Sequence, residues 1–107
     1  MNQSLVIFGD IGGTKTILRA SALPQDDQPF ILEQKYASQN YHHFDEIIIE
    51  FFSELQKNQP SNHTIVAACF AIAGPIVRQP VQLTNLPWLI DAAALSKKFS
   101  IPQVKLI

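Results

Sequence analysis

Phe44, Ile47, Ile48, Phe51, Phe52 and Leu55 recur at intervals of three and four residues, and the segment that soon follows, TIVAACFAIAG (64–74), is almost continuously apolar. The first pattern is one stripe of an amphipathic helix. The second has the length and the Ile and Val content of a strand covered on both faces, as in a parallel sheet. A helix delivered into such a strand restricts the chain to an α/β arrangement. Asp45 and Glu46 in the first helical turn and Lys57 in the last agree with the helix dipole, and the helix should stop before Pro60. Ile49 alone falls outside the stripe.

The residues before the helix have a different period. Ser4 to Phe8 is a short apolar run ending at Gly9, read as a buried strand. In TILRASA (16–22), Thr16, Leu18, Ala20 and Ala22 fall on one face and Ile17, Arg19 and Ser21 on the other. That is a strand period. LPQDDQP (23–29) is a polar loop with two prolines, and FILEQKYAS (30–38) reads as a third strand. Three strands joined in sequence make an antiparallel meander.

After the apolar run, PIVRQPVQLTNLPW (75–88) breaks its short apolar pieces with three prolines. It reads as an excursion, with a small hairpin, off the end of that strand. Asp91 can cap a short helix from Ala92 to Phe99 that carries Lys97 and Lys98 in its last turn. Val104 to Ile107 opens another strand. The expected fold is therefore α/β: a mixed sheet, combining a three-stranded antiparallel meander with parallel strands, and flanking helices. All of it fits one domain, 1–107.

Composition removes several function classes. The chain is 47% hydrophobic and 16% charged with a net charge of −1, so a basic nucleic-acid surface is not expected. No apolar stretch reaches the roughly 18 residues that span a bilayer, and no signal segment is visible, so a cytoplasmic location is expected. The single cysteine, Cys69, excludes an intrachain disulfide and a paired-cysteine metal site, and is read as a small core residue. His42 and His43 lack companion ligands, and His63 sits in a polar loop.

The strongest chemical signal is GDIGGTKT (9–16). A P-loop would need glycine where Thr14 stands and a helix afterwards, whereas the next residues alternate as a strand. The dinucleotide fingerprint is absent from this stretch. A third arrangement is strand, carboxylate, Gly-Gly turn with threonine, strand. Glycines let backbone N–H groups approach an anion, and Thr14 adds a hydroxyl. Asp10 beside phosphate makes sense with a divalent cation between them. Lys15 adds charge or faces solvent. A plain Gly-Gly hairpin with a solvated Asp10 accounts for the same eight residues.

GDIGGTKTILRAS, CFAIAGPI, TNLPWLIDAAAL and the final VKLI, taken in this order, resemble the bacterial glucokinase family. That resemblance runs from about Leu5 to Ile107. It implies a ribonuclease H-like, actin-like ATPase lobe whose parent enzyme moves phosphate from ATP, with Mg²⁺, to glucose or a related hexose. It implies that Gly9, Asp10, Ile11, Gly12, Gly13 and Thr14 form the first nucleotide-phosphate loop, with Asp10 meeting the metal indirectly. It places Gly74, Pro75, Asn85 and Trp88 beside the sugar, although Trp88 is equally explained by core packing and Asn85 by an exposed turn. The family's general base would follow just beyond Ile107. No catalytic residue is therefore assigned here, and the isolated chain is expected to be inactive. A non-catalytic binding or homodimerising module, formed through surface left bare, is the alternative.

Overall fold

The computed structural model describes residues 3–23, 30–58, 62–72, 76, 78–83 and 86–107. Its elements are β1 (Gln3–Ile11), β2 (Lys15–Leu23), β3 (Leu32–Ala37), a 3₁₀ turn (Ser38–Asn40), α1 (Phe44–Asn58), β4 (His63–Ile72), β5 (Val81–Gln82), β6 (Leu89–Ile90), α2 (Ala92–Phe99) and β7 (Gln103–Leu106). Five strands form one sheet in the order β3-β2-β1-β4-β7, and β5 and β6 form a separate two-stranded ladder. β1 to β3 are the antiparallel meander, while β1, β4 and β7 run parallel. The mixed sheet expected from the change of period is present.

Alternation fixes which face meets the helices. Leu5, Ile7 and Ile11 of β1, Leu18 and Ala20 of β2, and Ala68, Phe70 and Ile72 of β4 are buried in one cluster with Phe44, Ile47, Ile48, Phe51 and Leu55 of α1. Ile49, the residue outside the stripe, is 55% exposed. A register shift between Leu5 and Val6, which pair with Ile65 and Ala67, brings the second half of β4 into phase with this core. α2 packs beside α1: Phe52 and Phe99 meet edge to face at 5.7 Å, and Lys98 Nζ lies 2.6 Å from Asp45 Oδ2.

Local sequence sets both helix starts. Glu46 Oε1 accepts the backbone N–H groups of His42 and His43, each at 2.8 Å, which is the reach-back half of a capping box. Asp91 Oδ1 accepts from Ala93 and Ala94 N–H at 2.9 and 3.2 Å, as expected of the cap.

The opposite face departs from expectation. The sequence implies a buried β1 and a β4 covered on both faces, yet Val6, Ala67, Cys69 and Ala71 are only half-buried and Phe8 is 48% exposed. Both helices lie against the other face, so this side of the sheet is open. Cys69 is therefore on an open sheet face rather than in the core. The strands also run further than their apolar runs: β1 continues through Asp10 to Ile11, because backbone pairing to β2 and β4 does not depend on side-chain polarity.

The excursion after β4 is anchored more deeply than its prolines suggest. Leu83, Leu86, Trp88 and Ile90 are all buried, and Leu83 N–H donates to Trp88 O at 3.4 Å. The hairpin pairs Val81 with Ile90 and Gln82 with Leu89, so its second strand falls beyond the stretch from which it was inferred.

Candidate phosphate-binding turn

Gly9, Asp10 and Ile11 belong to β1 itself, opposite Leu18, Ile17 and Thr16. The turn proper is shorter than the motif. Gly12 N–H donates to Lys15 O at 3.0 Å, which leaves Gly13 and Thr14 as its two central residues. Glycine at the first central position, where Gly13 stands, suits one of the two favoured two-residue hairpin turns. Gly12 is also tightly placed: a Cβ there would lie 3.0 Å from Lys15 O, a backbone atom tied by that same bond.

Gly9 has a different reason. A Cβ at Gly9 would meet Phe70 Cδ1 at 2.5 Å and Leu18 Cδ2 at 2.8 Å. Phe70 is fixed edge to face on Phe44 at 5.1 Å, and Phe44 lies on Trp88 at 5.7 Å. The first glycine of the motif thus makes room for the core.

Asp10 is exposed on the open face, at the carboxyl end of β1. The carboxyl ends of β4 and β7 lie alongside: Ile107 N–H donates to Phe70 O, and Ile72 N–H donates to Ile107 O, both at 3.0 Å. A depression of about 310 Å³ there is lined by Phe8, Asp10, Ile17, Arg19, Ala71 and Ile107. In open α/β sheets, ligands bind outside the carboxyl ends of parallel strands. A larger groove of about 760 Å³ runs down the same face past Val6, Ala67 and Cys69 to the start of α2, and is mainly apolar. Size alone would favour the groove, but the Asp10 carboxylate and Gly9 of the motif line the smaller depression.

The turn is held from behind. Ser38 is fully buried, and its hydroxyl donates to Gly12 O at 2.7 Å. Its backbone N–H donates to Thr14 O at 3.0 Å. Thr16, also fully buried, lies with Oγ1 2.9 Å from Ser38 Oγ. Sequence reasoning missed Ser38. Its signal was Thr16, which alternation places on the apolar face with Leu18 and Ala20, where a hydroxyl needs a partner.

Trp88 is corrected. It is 0% exposed, its indole N–H donates to Tyr41 O at 3.0 Å, and its ring packs on Phe44. A ring with no exposed surface and a satisfied donor favours the core-packing reading. Gly74, Pro75 and Asn85 lie outside the described residues. Among the described residues, no three His, Cys, Asp or Glu side chains cluster as a metal-binding group. No helix is long and apolar enough to cross a membrane among them.

The glucokinase family model matches residues 7–107. The chain belongs to the glucokinase family. It is 39% identical over 106 residues to the glucokinase of Nostoc sp. (strain PCC 7120), covering 98% of this chain and 30% of that protein. The glucokinase of Yersinia pestis (strain Pestoides F) is 29% identical over 102 residues, covering 94% of this chain and 29% of its own. Among solved structures, a glucokinase from an Antarctic psychrotroph superimposes with a TM-score of 0.76 at 25% identity, over 96% of this chain and 31% of that one. An ROK hexokinase from Thermus thermophilus shares the fold with a TM-score of 0.61 at 15% identity, over 95% of this chain and 34% of its own. The chain spans about 30% of the length of the curated relatives it matches and corresponds to their N-terminal part.

Proposed function

We propose that residues 1–107 form the N-terminal lobe of an ATP-dependent glucokinase, and that the longer enzyme transfers the γ-phosphoryl group of ATP to the 6-hydroxyl of glucose or a related hexose. The observation that carries this reading is the two-residue turn Gly13–Thr14 beside the exposed Asp10, at the joint carboxyl ends of β1, β4 and β7. Backbone N–H groups of the turn and the Thr14 hydroxyl would hold phosphate oxygens. One carboxylate without companion ligands among the described residues suits a cation that arrives with the phosphates, and Asp10 would hold Mg²⁺ in that shared way. When bound, Mg²⁺ offsets phosphate charge during transfer.

Gly74 and Pro75, which follow β4 in the sequence, and Asn85 are proposed to border the hexose. Trp88 supports that border from the core by anchoring the excursion to Tyr41 and Phe44. Phosphoryl transfer depends on positioning two substrates in a site that excludes water. The 107-residue chain offers one open face, so it is expected to bind phosphate without turning over glucose.

A coupled assay of glucose phosphorylation tests the reading, using this chain and a version extended through its natural downstream sequence. Activity in the extended protein, lost on Asp10→Ala, is the expected result. Activity in the 107-residue chain would overturn the account of a lobe that needs its partner. An active extended protein indifferent to Asp10→Ala would remove Asp10 from the site.

A further inference from the structure

We infer that Ser38 is a positioning residue for the phosphate-binding turn: it pulls two turn carbonyls inward, and so aims turn amides outward. This rests on the phosphate reading above. Ser38 reaches the turn from 24 and 26 residues away in the chain, through its N–H to Thr14 O at 3.0 Å and its hydroxyl to Gly12 O at 2.7 Å. A trans peptide is planar, with C=O and N–H on opposite sides. Holding Gly12 O toward Ser38 therefore directs the Gly13 N–H the other way. Holding Thr14 O does the same for the Lys15 N–H. The two glycines leave this turn little intrinsic stiffness, so an external tether decides where its amides point.

Proton inventory orders the bonds. A serine hydroxyl has one hydrogen. Ser38 spends it on Gly12 O, so Thr16 Oγ1 must donate to Ser38 Oγ. Thr16 thereby keeps the Ser38 hydroxyl from rotating away. Both hydroxyls are fully buried, so water does not compete for these bonds.

The test uses the ¹⁵N-labelled chain as wild type, Ser38→Ala, and Ile48→Val, a core change on α1 away from the turn that matches a modest loss of stability. The ligand-free readout is hydrogen exchange at Gly12 N–H, whose bond to Lys15 O none of these substitutions touches directly. Exchange should rise about 5-fold or more in Ser38→Ala beyond its global change, and not in Ile48→Val. The second readout is titration with Mg-ATP, followed at the Gly13 and Thr14 amides. Ser38→Ala should weaken binding by about 5-fold or more, while Ile48→Val binds like wild type. Unaltered Gly12 exchange in Ser38→Ala overturns the tether. Faster exchange with unchanged Mg-ATP affinity overturns its positioning role. Wild-type amides that do not respond to Mg-ATP overturn the phosphate reading itself, and the exchange comparison alone then decides whether Ser38 holds the turn.

Discussion

Gly9→Ala separates two explanations of the first glycine in the motif. If Gly9 is there for core clearance, the substitution must displace the Phe70 ring. The new Cβ would sit 2.5 Å from Phe70 Cδ1, and carbon atoms rest at about 3.5 Å or more, so the ring must retreat by about 1 Å. It has little room to do so: Phe70 is 1% exposed and lies edge to face on Phe44, which is itself 2% exposed. Overpacking of this kind costs about 1–3 kcal/mol. Against it stands the loss of backbone freedom in the unfolded chain, which favours alanine by about 0.4–1 kcal/mol. The net expectation is a loss of about 1–2 kcal/mol, or a fall of about 0.5–1 M in the urea midpoint of a domain this size. Circular dichroism against urea measures it. The double variant Gly9→Ala/Phe70→Leu, with a smaller and more adaptable partner, should cost less than the sum of the two single changes by about 1 kcal/mol. A Gly9→Ala midpoint at or above wild type, or strict additivity in the double variant, would refute the clearance argument. Weaker Mg-ATP binding at unchanged stability would instead assign Gly9 to the phosphate.

Tyr36 carries a buried hydroxyl with no partner among the described residues, and burial, then the charge of Glu50, pushes its ionisation above the ordinary value of 10.0. Above about pH 10 the folded chain then holds a proton that the unfolded chain has lost, so stability should fall as pH rises. Tyr36→Phe should flatten that alkaline decline and gain about 1 kcal/mol at pH 7 by removing an orphaned group; a clear loss in urea melts at pH 7 would show that the hydroxyl is bonded after all. Asp91→Ala removes the acceptor for Ala93 and Ala94 N–H and should lower stability by about 0.5–2 kcal/mol, read from thermal melts; an unchanged melt would deny the cap any role. Trp88→Phe leaves Tyr41 O without its donor and a gap beside Phe44, for a loss of about 2–3 kcal/mol by urea denaturation. In the wild-type chain, glucose should leave Trp88 fluorescence unchanged, and a glucose-dependent shift would restore a sugar contact.

The local content of the fold was legible because it rests on side-chain period. The stripe from Phe44 to Leu55 became α1, and Asp91 capped α2 where its position before Ala92 implied. The alternation that sets Thr16, Leu18 and Ala20 on one face of β2 is a strand period, and those three residues are buried. The glycine turn was legible as a turn, since only a few residue types suit its two central positions.

What pattern could not show is which apolar surface is covered. β1 and β4 look the same on both faces as strings, and only the packing of α1 and α2 against one face leaves Phe8 and Cys69 on the other. Trp88 next to a turn could have served a pocket or the core; the placement of Phe44 beside it and of Tyr41 O at its indole N–H decided for the core. Gly9 reads in sequence as part of a phosphate motif, and becomes a clearance for Phe70, 61 positions along the chain, once β1 lies against β4. By itself, then, the sequence determined the period, the Asp91 cap, the turn and the family. Tertiary structure decided the open face of the sheet, the reason for Gly9 and the tether from Ser38, because those depend on contacts between residues far apart in the chain, and side-chain period reports only on near neighbours.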